Sequence, residues 1–310
     1  MPELEPTSPL ESLIRNQLTS FEPAVVEPFL SSLRSLVGER ADAILVYGSC
    51  LSSVTRSSTS TPDFFVLVRR YRDFHRSLLH TVVNWILPPS IYHFTVDGRT
   101  AKYNVLSFGD LAHDTSPRAR DVYQLGRFSK RMGAAWTRDP GGLEEIVAAQ
   151  AAAMRTVAAQ TRHLLPENFT LDTFILEALR LSYYGDVRVE AADKIERLFR
   201  SDEEFYRTAY RLILHSWAEE RDGAFFKKPA FLRETIGRFT TRIFLSKSRL
   251  RAQLRWPKGM FTVENWLDYL IQKIERTQGI RIELTPREKR FWFIYGWKYF
   301  IALRRKKLIH

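Results

Sequence analysis

Cysteine is nearly absent from this chain of 310 residues: Cys50 stands alone. A single thiol excludes an internal disulfide and any cysteine-built metal cluster. Long apolar runs are also missing. The longest, FWFIYGWKYFIAL at 291–303, is interrupted by Lys298 and falls short of the roughly 20 residues that span a bilayer. Acidic residues are under-represented: 35 Asp and Glu face 47 Lys and Arg, a net charge of +12. That excess suits an anionic partner, whether nucleic acid, nucleotide or acidic lipid, and composition alone does not choose among these. The N-terminus, MPELEPTSPLESLI, carries neither the basic start of a signal peptide nor an Arg-rich transit pattern. No internal repeat is evident, and no nucleic-acid-binding motif accompanies the charge.

What is present reads as a small mixed α/β layer followed by helices. Phe29, Leu30, Leu33, Leu36 and Val37 share a helical face that Gly38 ends. Ala43 to Tyr47 and Phe64 to Val68 are short apolar runs of buried-strand type. Phe74, Leu78, Leu79, Val82, Val83 and Ile86 again recur with helical spacing, stopped by Pro88-Pro89. Residues 91–96 and 100–106 flank Asp97-Gly98, a strong hairpin signal. Segments 118–134, 142–163, 170–184 and 190–215 read as helical, and 264–275 as one more amphipathic helix. Asp139-Pro140-Gly141-Gly142 suggests a domain boundary, and beyond residue 221 the chain becomes very basic.

The stretch VYGSCLSSVTRSSTSTPDFFVLV, residues 46–68, places a small-residue turn after one buried strand and a solitary carboxylate before the next. A Gly48-Ser49 turn leading into a helix presents backbone N–H groups, with the serine hydroxyl as a further donor, to an anion. Asp63 at the start of the following strand can hold Mg²⁺ over the same place. Equally, Ser49 can be a plain cap and Asp63 an ordinary strand end. The layout is similar to that of the nucleotidyltransferase superfamily, with one departure. Two metals ask for more than one carboxylate, yet Asp63 is followed by Phe64-Phe65 rather than by a second acid.

With four later blocks, the chain resembles the mitochondrial-type CDP-diacylglycerol synthases, peripheral phosphatidate cytidylyltransferases of the translocator assembly and maintenance family. The Tyr-Gly-Ser turn and the lone Asp-Phe are followed in order by DFHRSLLH (73–80), DGRTAKYNVLSFGDL (97–111), DVYQLGRFSKRM (121–132) and LLPENFTLDTFILEALRLSYYGDVR (164–188). The resemblance runs from about residue 45 to 200 and fades beyond 220. It implies an α+β chain: a nucleotidyltransferase-like mixed sheet with flanking helices over 1–138, a mainly helical domain completing the active site over 139–220, and a basic region over 221–310 ending in an amphipathic helix.

The resemblance also assigns roles. Gly48 and Ser49 would hold the triphosphate of CTP and Asp63 the Mg²⁺ ion. Lys102 and Tyr103 alternate along a strand and point to opposite faces; Lys102 would neutralise triphosphate charge while Tyr103 enters the core. Arg127 and Lys130, one helical turn apart, could reach one anion, either the triphosphate or the lipid headgroup, or form a solvated face. Gly126 would permit a close helix approach. Tyr184, Gly185, Asp186 and Arg188 lie where a helix ends; Asp186 would supply the missing carboxylate from the second domain, with Asp97 the alternative. His75 has no second histidine close by and reads equally as structural, and Cys50 as packing.

The implied reaction joins CTP and phosphatidate into CDP-diacylglycerol and pyrophosphate. A different acceptor, or nucleotide binding without catalysis, remains open. Because phosphatidate lives in a membrane, the chain must dock. Residues 287–310 carry Trp292, Trp297 and eight basic residues against Glu288, a composition suited to an anionic membrane surface, though also to a core helix with a basic tail. The resulting expectation is a cytoplasmic protein, peripheral on the inner face of the cell membrane, with no nucleic-acid partner and no indication of oligomeric state.

Overall fold

The computed structural model describes residues 8–51, 61–75, 77–184, 192–228, 231–262, 285 and 287–288. The elements run in order α1 (Pro9–Thr19), α2 (Phe29–Val37), β1 (Ala43–Tyr47), β2 (Asp63–Val68), α3 (Tyr71–Phe74), α4 (Leu78–Ile86), β3 (Ser90–Val96), β4 (Arg99–Ser107), α5 (Phe108–Thr115), α6 (Val122–Phe128) and β5 (Met132–Thr137). They continue with α7 (Pro140–Arg162), β6 (Asn168–Thr170), α8 (Leu171–Ser182), α9 (Ala192–Ser201), α10 (Glu203–Leu214), β7 (Ala218–Arg221), β8 (Ala224–Lys227) and α11 (Phe231–Thr262). The chain divides into two compact units, residues 1–258 and 259–310, and both sheets belong to the first.

Five strands form a mixed sheet in the order β3-β4-β2-β1-β5. β1 is antiparallel to β2 and to β5, β2 is parallel to β4, and β3 and β4 form an antiparallel hairpin. The hairpin turns at Asp97 and Gly98, both at positive φ, as a tight two-residue connection requires. Strand alternation sorts the sheet into two faces. Ile44, Val46, Phe64, Val66, Tyr103 and Val105 share one core with α2 and α3. Leu45, Phe65, Leu67 and Leu106 share the other with α1, α5, α6, α7 and α8. This second core continues without interruption through α8, α10 and β8 to Leu245 of α11. The α+β class, a mixed sheet flanked by helices and followed by further helices, is therefore as the sequence suggests.

Three details differ from the sequence reading. Residues 118–134 are not one helix: α6 ends at Phe128 and Met132 begins β5, the edge strand against β1. A small three-stranded sheet, β6-β8-β7, lies within the helical part. Helix α4 turns its apolar stripe outward; its buried residue is Asn84. Residues 264–275 and 289–310 lie outside the described residues, and among those described no helix is long and apolar enough to cross a membrane.

Candidate active site

The antiparallel pairing of β1 with β2 answers why a turn and a lone acid frame two strands. Tyr47, the last residue of β1, stands opposite Asp63, the first of β2. Gly48 follows at φ +90°, a conformation that favours glycine, and a Cβ added there would lie 3.4 Å from Asp63 Oδ2. Turn and carboxylate are thus neighbours at one sheet end. Ser49 opens the short 3-10 turn Ser49–Leu51, with its hydroxyl outside the described part.

The parallel pairing of β2 with β4 brings in the cation. Lys102 is in register with Asp63, and its Nζ lies 3.3 Å from Asp63 Oδ1, both side chains about a third exposed. Burial alone would lower the Lys102 ammonium, but Tyr47 and Asp63 outweigh it and the net shift is upward. The lysine is therefore a fixed positive charge at any physiological pH. Tyr103, one residue on, is buried in the opposite core.

Two neighbours shape this pair. Burial, then the Asp63 charge, pushes the Tyr47 phenol up to about 12, so it stays protonated. Its oxygen accepts from Asn104 Nδ2 at 2.6 Å, and its ring lies against Phe65, centroids 4.8 Å apart. Arg127, on α6, is close enough to influence both Tyr47 and Lys102. Its guanidinium lies 3.5 Å from the centre of the Tyr123 ring and donates to the Tyr123 carbonyl at 3.1 Å. Phe128, the next residue, anchors α6 on Phe65 at 5.1 Å. Asp63, Lys102 and Arg127 thus set one carboxylate against two permanent cations, an arrangement that attracts a polyanion.

The other cation expected on this helix is Lys130. Lys130 lies beyond the end of α6, its Nζ 3.6 Å from the Tyr183 ring, whereas Arg127 sits on Tyr123. Tyr184 packs under Arg249, 4.7 Å away. Gly185, Asp186 and Arg188 lie outside the described residues. Asp97 is at the exposed hairpin tip. Gly126 does meet α8 closely: a Cβ there would sit 2.0 Å from the Ser182 carbonyl oxygen.

His75 belongs to the opposite core. It is buried, and burial foremost lowers its imidazole to about 4. Its Nε2 accepts from Asn84 Nδ2 at 3.2 Å and its Nδ1 meets the Tyr92 hydroxyl at 3.2 Å. Cys50 is buried packing. Sequence reasoning missed Tyr47, Asn104 and His93; the last faces Lys102 directly across β3 and β4. Only strand register reveals them, and register is set by partners distant in sequence.

Asp63 fits a magnesium ion held together with polyphosphate, which keeps several waters and takes one or two carboxylates. Lys102 engages Oδ1, leaving Oδ2 toward the turn. It does not fit an all-protein cage: among the described residues no group of three acids, histidines or cysteines converges.

Comparison with known proteins meets this geometry half-way along the chain. Residues 87–233 match the family of mitochondrial phosphatidate cytidylyltransferases. The resemblance read from the sequence is thereby supported by an independent comparison. Lys102, Arg127, Lys130, Tyr184, Asp186 and Arg188 fall inside the matched stretch; Gly48, Ser49 and Asp63 precede it. The chain is also similar to the mitochondrial phosphatidate cytidylyltransferase of Xenopus laevis, 29% identical over 130 residues, or 40% of this chain and 37% of that protein. The match thus spans little more than a third of that relative. A crystal structure of a nucleotidyltransferase-like protein from Exiguobacterium sibiricum 255-15 aligns over 81% of this chain and 80% of its own, at 10% identity and a TM-score of 0.24.

Proposed function

We propose that the chain transfers the cytidylyl group of CTP to phosphatidate at a membrane surface, giving CDP-diacylglycerol and pyrophosphate. The family match over residues 87–233 supports the substrate pair. The observation that carries the site is the meeting of Asp63 with the Gly48 turn on one side and Lys102 on the other. A phosphatidate oxygen forms the new bond to the α-phosphorus as the α–β phosphoanhydride breaks and pyrophosphate leaves with the bonding electrons. A phosphate monoester is ionised near neutral pH and needs little base assistance. The barrier to overcome is repulsion between two anions, and fixed cations offset it without reorganising.

Lys102 and Arg127 are those cations. Lys102 is held in place by its ion pair and Arg127 by its stack on Tyr123. Backbone N–H groups of the Gly48-Ser49 turn hold the departing pyrophosphate. Asp63 would hold Mg²⁺ through Oδ2, and the ion would supply charge neutralisation to the triphosphate. Tyr47 stays protonated beside Asp63 and offers its hydroxyl as a donor. Asp186 is the candidate second carboxylate; Lys130, Tyr184 and Arg188 are candidates for the headgroup side.

The test is radiolabelled CTP with phosphatidate vesicles and Mg²⁺. Asp63→Asn should lower turnover about a hundredfold or more while CTP still binds. Transfer of the label to some acceptor other than the lipid, with no lipid-linked product, overturns the assignment.

A further inference from the structure

Helix α4 is built inside out. Leu78, Leu79, Val82, Trp85 and Ile86 are 74%, 64%, 41%, 66% and 58% exposed. At 100° per residue these five fall within one third of the helix circumference, so they form a single outward stripe. The inner side is held by polar contacts. Asn84, fully buried, donates to the Val105 carbonyl at 3.3 Å and to His75, and its Oδ1 accepts from Lys258 Nζ at 3.2 Å. Lys258 is itself held by the Leu87 and Pro89 carbonyls at 2.6 and 2.8 Å. Turning the helix to bury its stripe would strip Asn84 and Lys258 of these partners. The orientation is fixed, and the stripe stays outside.

Beside the stripe, α3 and the residues before it contribute Arg69, Arg70 and Arg72, which share a cleft with Val82 and Trp85. Arg69 is committed to Glu145 at 2.5 Å. Arg70 and Arg72 are exposed and make no ion pair among the described residues. Asp110, also in the cleft, is occupied by the Tyr71 hydroxyl at 2.6 Å and by Arg120. The cleft follows the C-terminal end of β2, whereas Asp63 opens that strand. A strand of this length covers about 20 Å, so the patch is not part of the active site.

We propose that this face of α4, with Arg70 and Arg72, is a docking surface for an anionic phospholipid bilayer. Leucines and a tryptophan on one side of a short helix partition into the headgroup–acyl boundary, tryptophan by preference at that depth. Two arginines with no acid of their own among the described residues lie where lipid phosphates would. Charge decides against the other occupants. In a symmetric dimer the same patch faces itself, bringing Arg70 and Arg72 of both copies into one interface with no acid paired to them among the described residues. The chain's own segment 289–310 carries Arg304, Arg305, Lys306 and Lys307 and adds like charge to the same two arginines. The proposal rests on the membrane-surface reading under Proposed function and deepens it by naming a lipid contact other than the C-terminal segment.

Flotation of the full chain with phosphatidylcholine vesicles, with and without phosphatidylglycerol, tests it without any need for catalysis. The native chain should float with the anionic vesicles and far less with neutral ones. Arg70→Gln with Arg72→Gln should weaken binding about 30-fold, equivalent to roughly 1 kcal/mol per charge. Trp85→Ser should weaken it on both vesicle types. Both variants should keep the native melting temperature and native CTP turnover on short-chain phosphatidate dispersed in detergent. That last assay reports on the reaction and not on docking, so failure of one claim is separable from failure of the other. Undiminished flotation of both variants overturns the proposal. So does a change in sedimentation mass confined to the variants, which would assign the stripe to a second copy.

Discussion

At the scale of single residues, burial sets the chemistry of His75. With Nε2 accepting from Asn84, whose orientation Lys258 fixes, the imidazole is held neutral. Burial lowers it to about 4 against an ordinary 6.5. The unfolded chain therefore binds a proton that the folded chain refuses as pH falls below 6.5. Stability from this group is fully present above pH 6.5 and declines down to about 4, by on the order of 3 kcal/mol at most. His75→Gln removes the proton-binding group in both states. Urea midpoints for the native chain and this variant should therefore differ between pH 7 and pH 4.5, with the native chain showing the steeper acid loss. Parallel pH profiles would show that His75 is not shielded. Lys102 carries the opposite lesson: burial on the same sheet would lower its ammonium, but Tyr47 and then Asp63 outweigh it and the net shift is upward.

At the scale of elements, α6 is positioned by what it lacks. Gly126 lets α6 pass over the C-terminal end of α8, with no room for a side chain before the Ser182 carbonyl. Gly126→Ala should destabilise the chain by about 1–3 kcal/mol through overpacking, and should lower CTP affinity because Arg127 moves with the helix. Thermal melting and CTP titration check the two effects; an unchanged melting temperature would mean the helices give way freely. That a close helix approach occurs at Gly126 was legible in the sequence as a glycine inside a helical pattern. The neighbouring strand was not. Met132 to Thr137 has small residues and no strong alternation, and it becomes a strand because β1 offers it an edge. In α4 the spacing revealed the helix, yet its direction of facing depended on Asn84 finding Val105, His75 and Lys258.

At the scale of the whole chain, one acid ties two arginines of α11 to the start of α6. The buried Asp121 carboxylate accepts from Arg251 Nε at 2.6 Å, from Arg255 at 2.9 Å, and from the Tyr123 N–H at 2.9 Å at the start of α6. Burial raises Asp121, but Arg255, Arg251 and that N–H outweigh it and the net is downward. Its contribution is present above the ordinary carboxylate range and is lost as pH falls through its lowered value. Asp121→Asn leaves two cations facing a neutral amide, and should cost about 3–5 kcal/mol. It should also raise hydrogen exchange across residues 245–255. Arg251→Met, which leaves Arg255 on the carboxylate, should cost less; equal losses would mean the two arginines do not act as a clamp.

Beside the role that the family resemblance gives Lys102, the sequence by itself determined the local elements: the α2 periodicity, the apolar runs of β1 and β2, the Asp97-Gly98 hairpin, and the candidacy of Gly48 and Asp63. Each depends on residues within one or two turns of chain, where side-chain period and turn chemistry suffice. Only the tertiary structure decided that Asp63 stands beside both Gly48 and Lys102, that Tyr47, Asn104 and His93 are their neighbours, that 132–137 is a strand, and that α4 presents its apolar side to the outside. Those outcomes rest on strand register and on buried polar contacts between residues tens of positions apart, and no local pattern encodes which distant partner satisfies them.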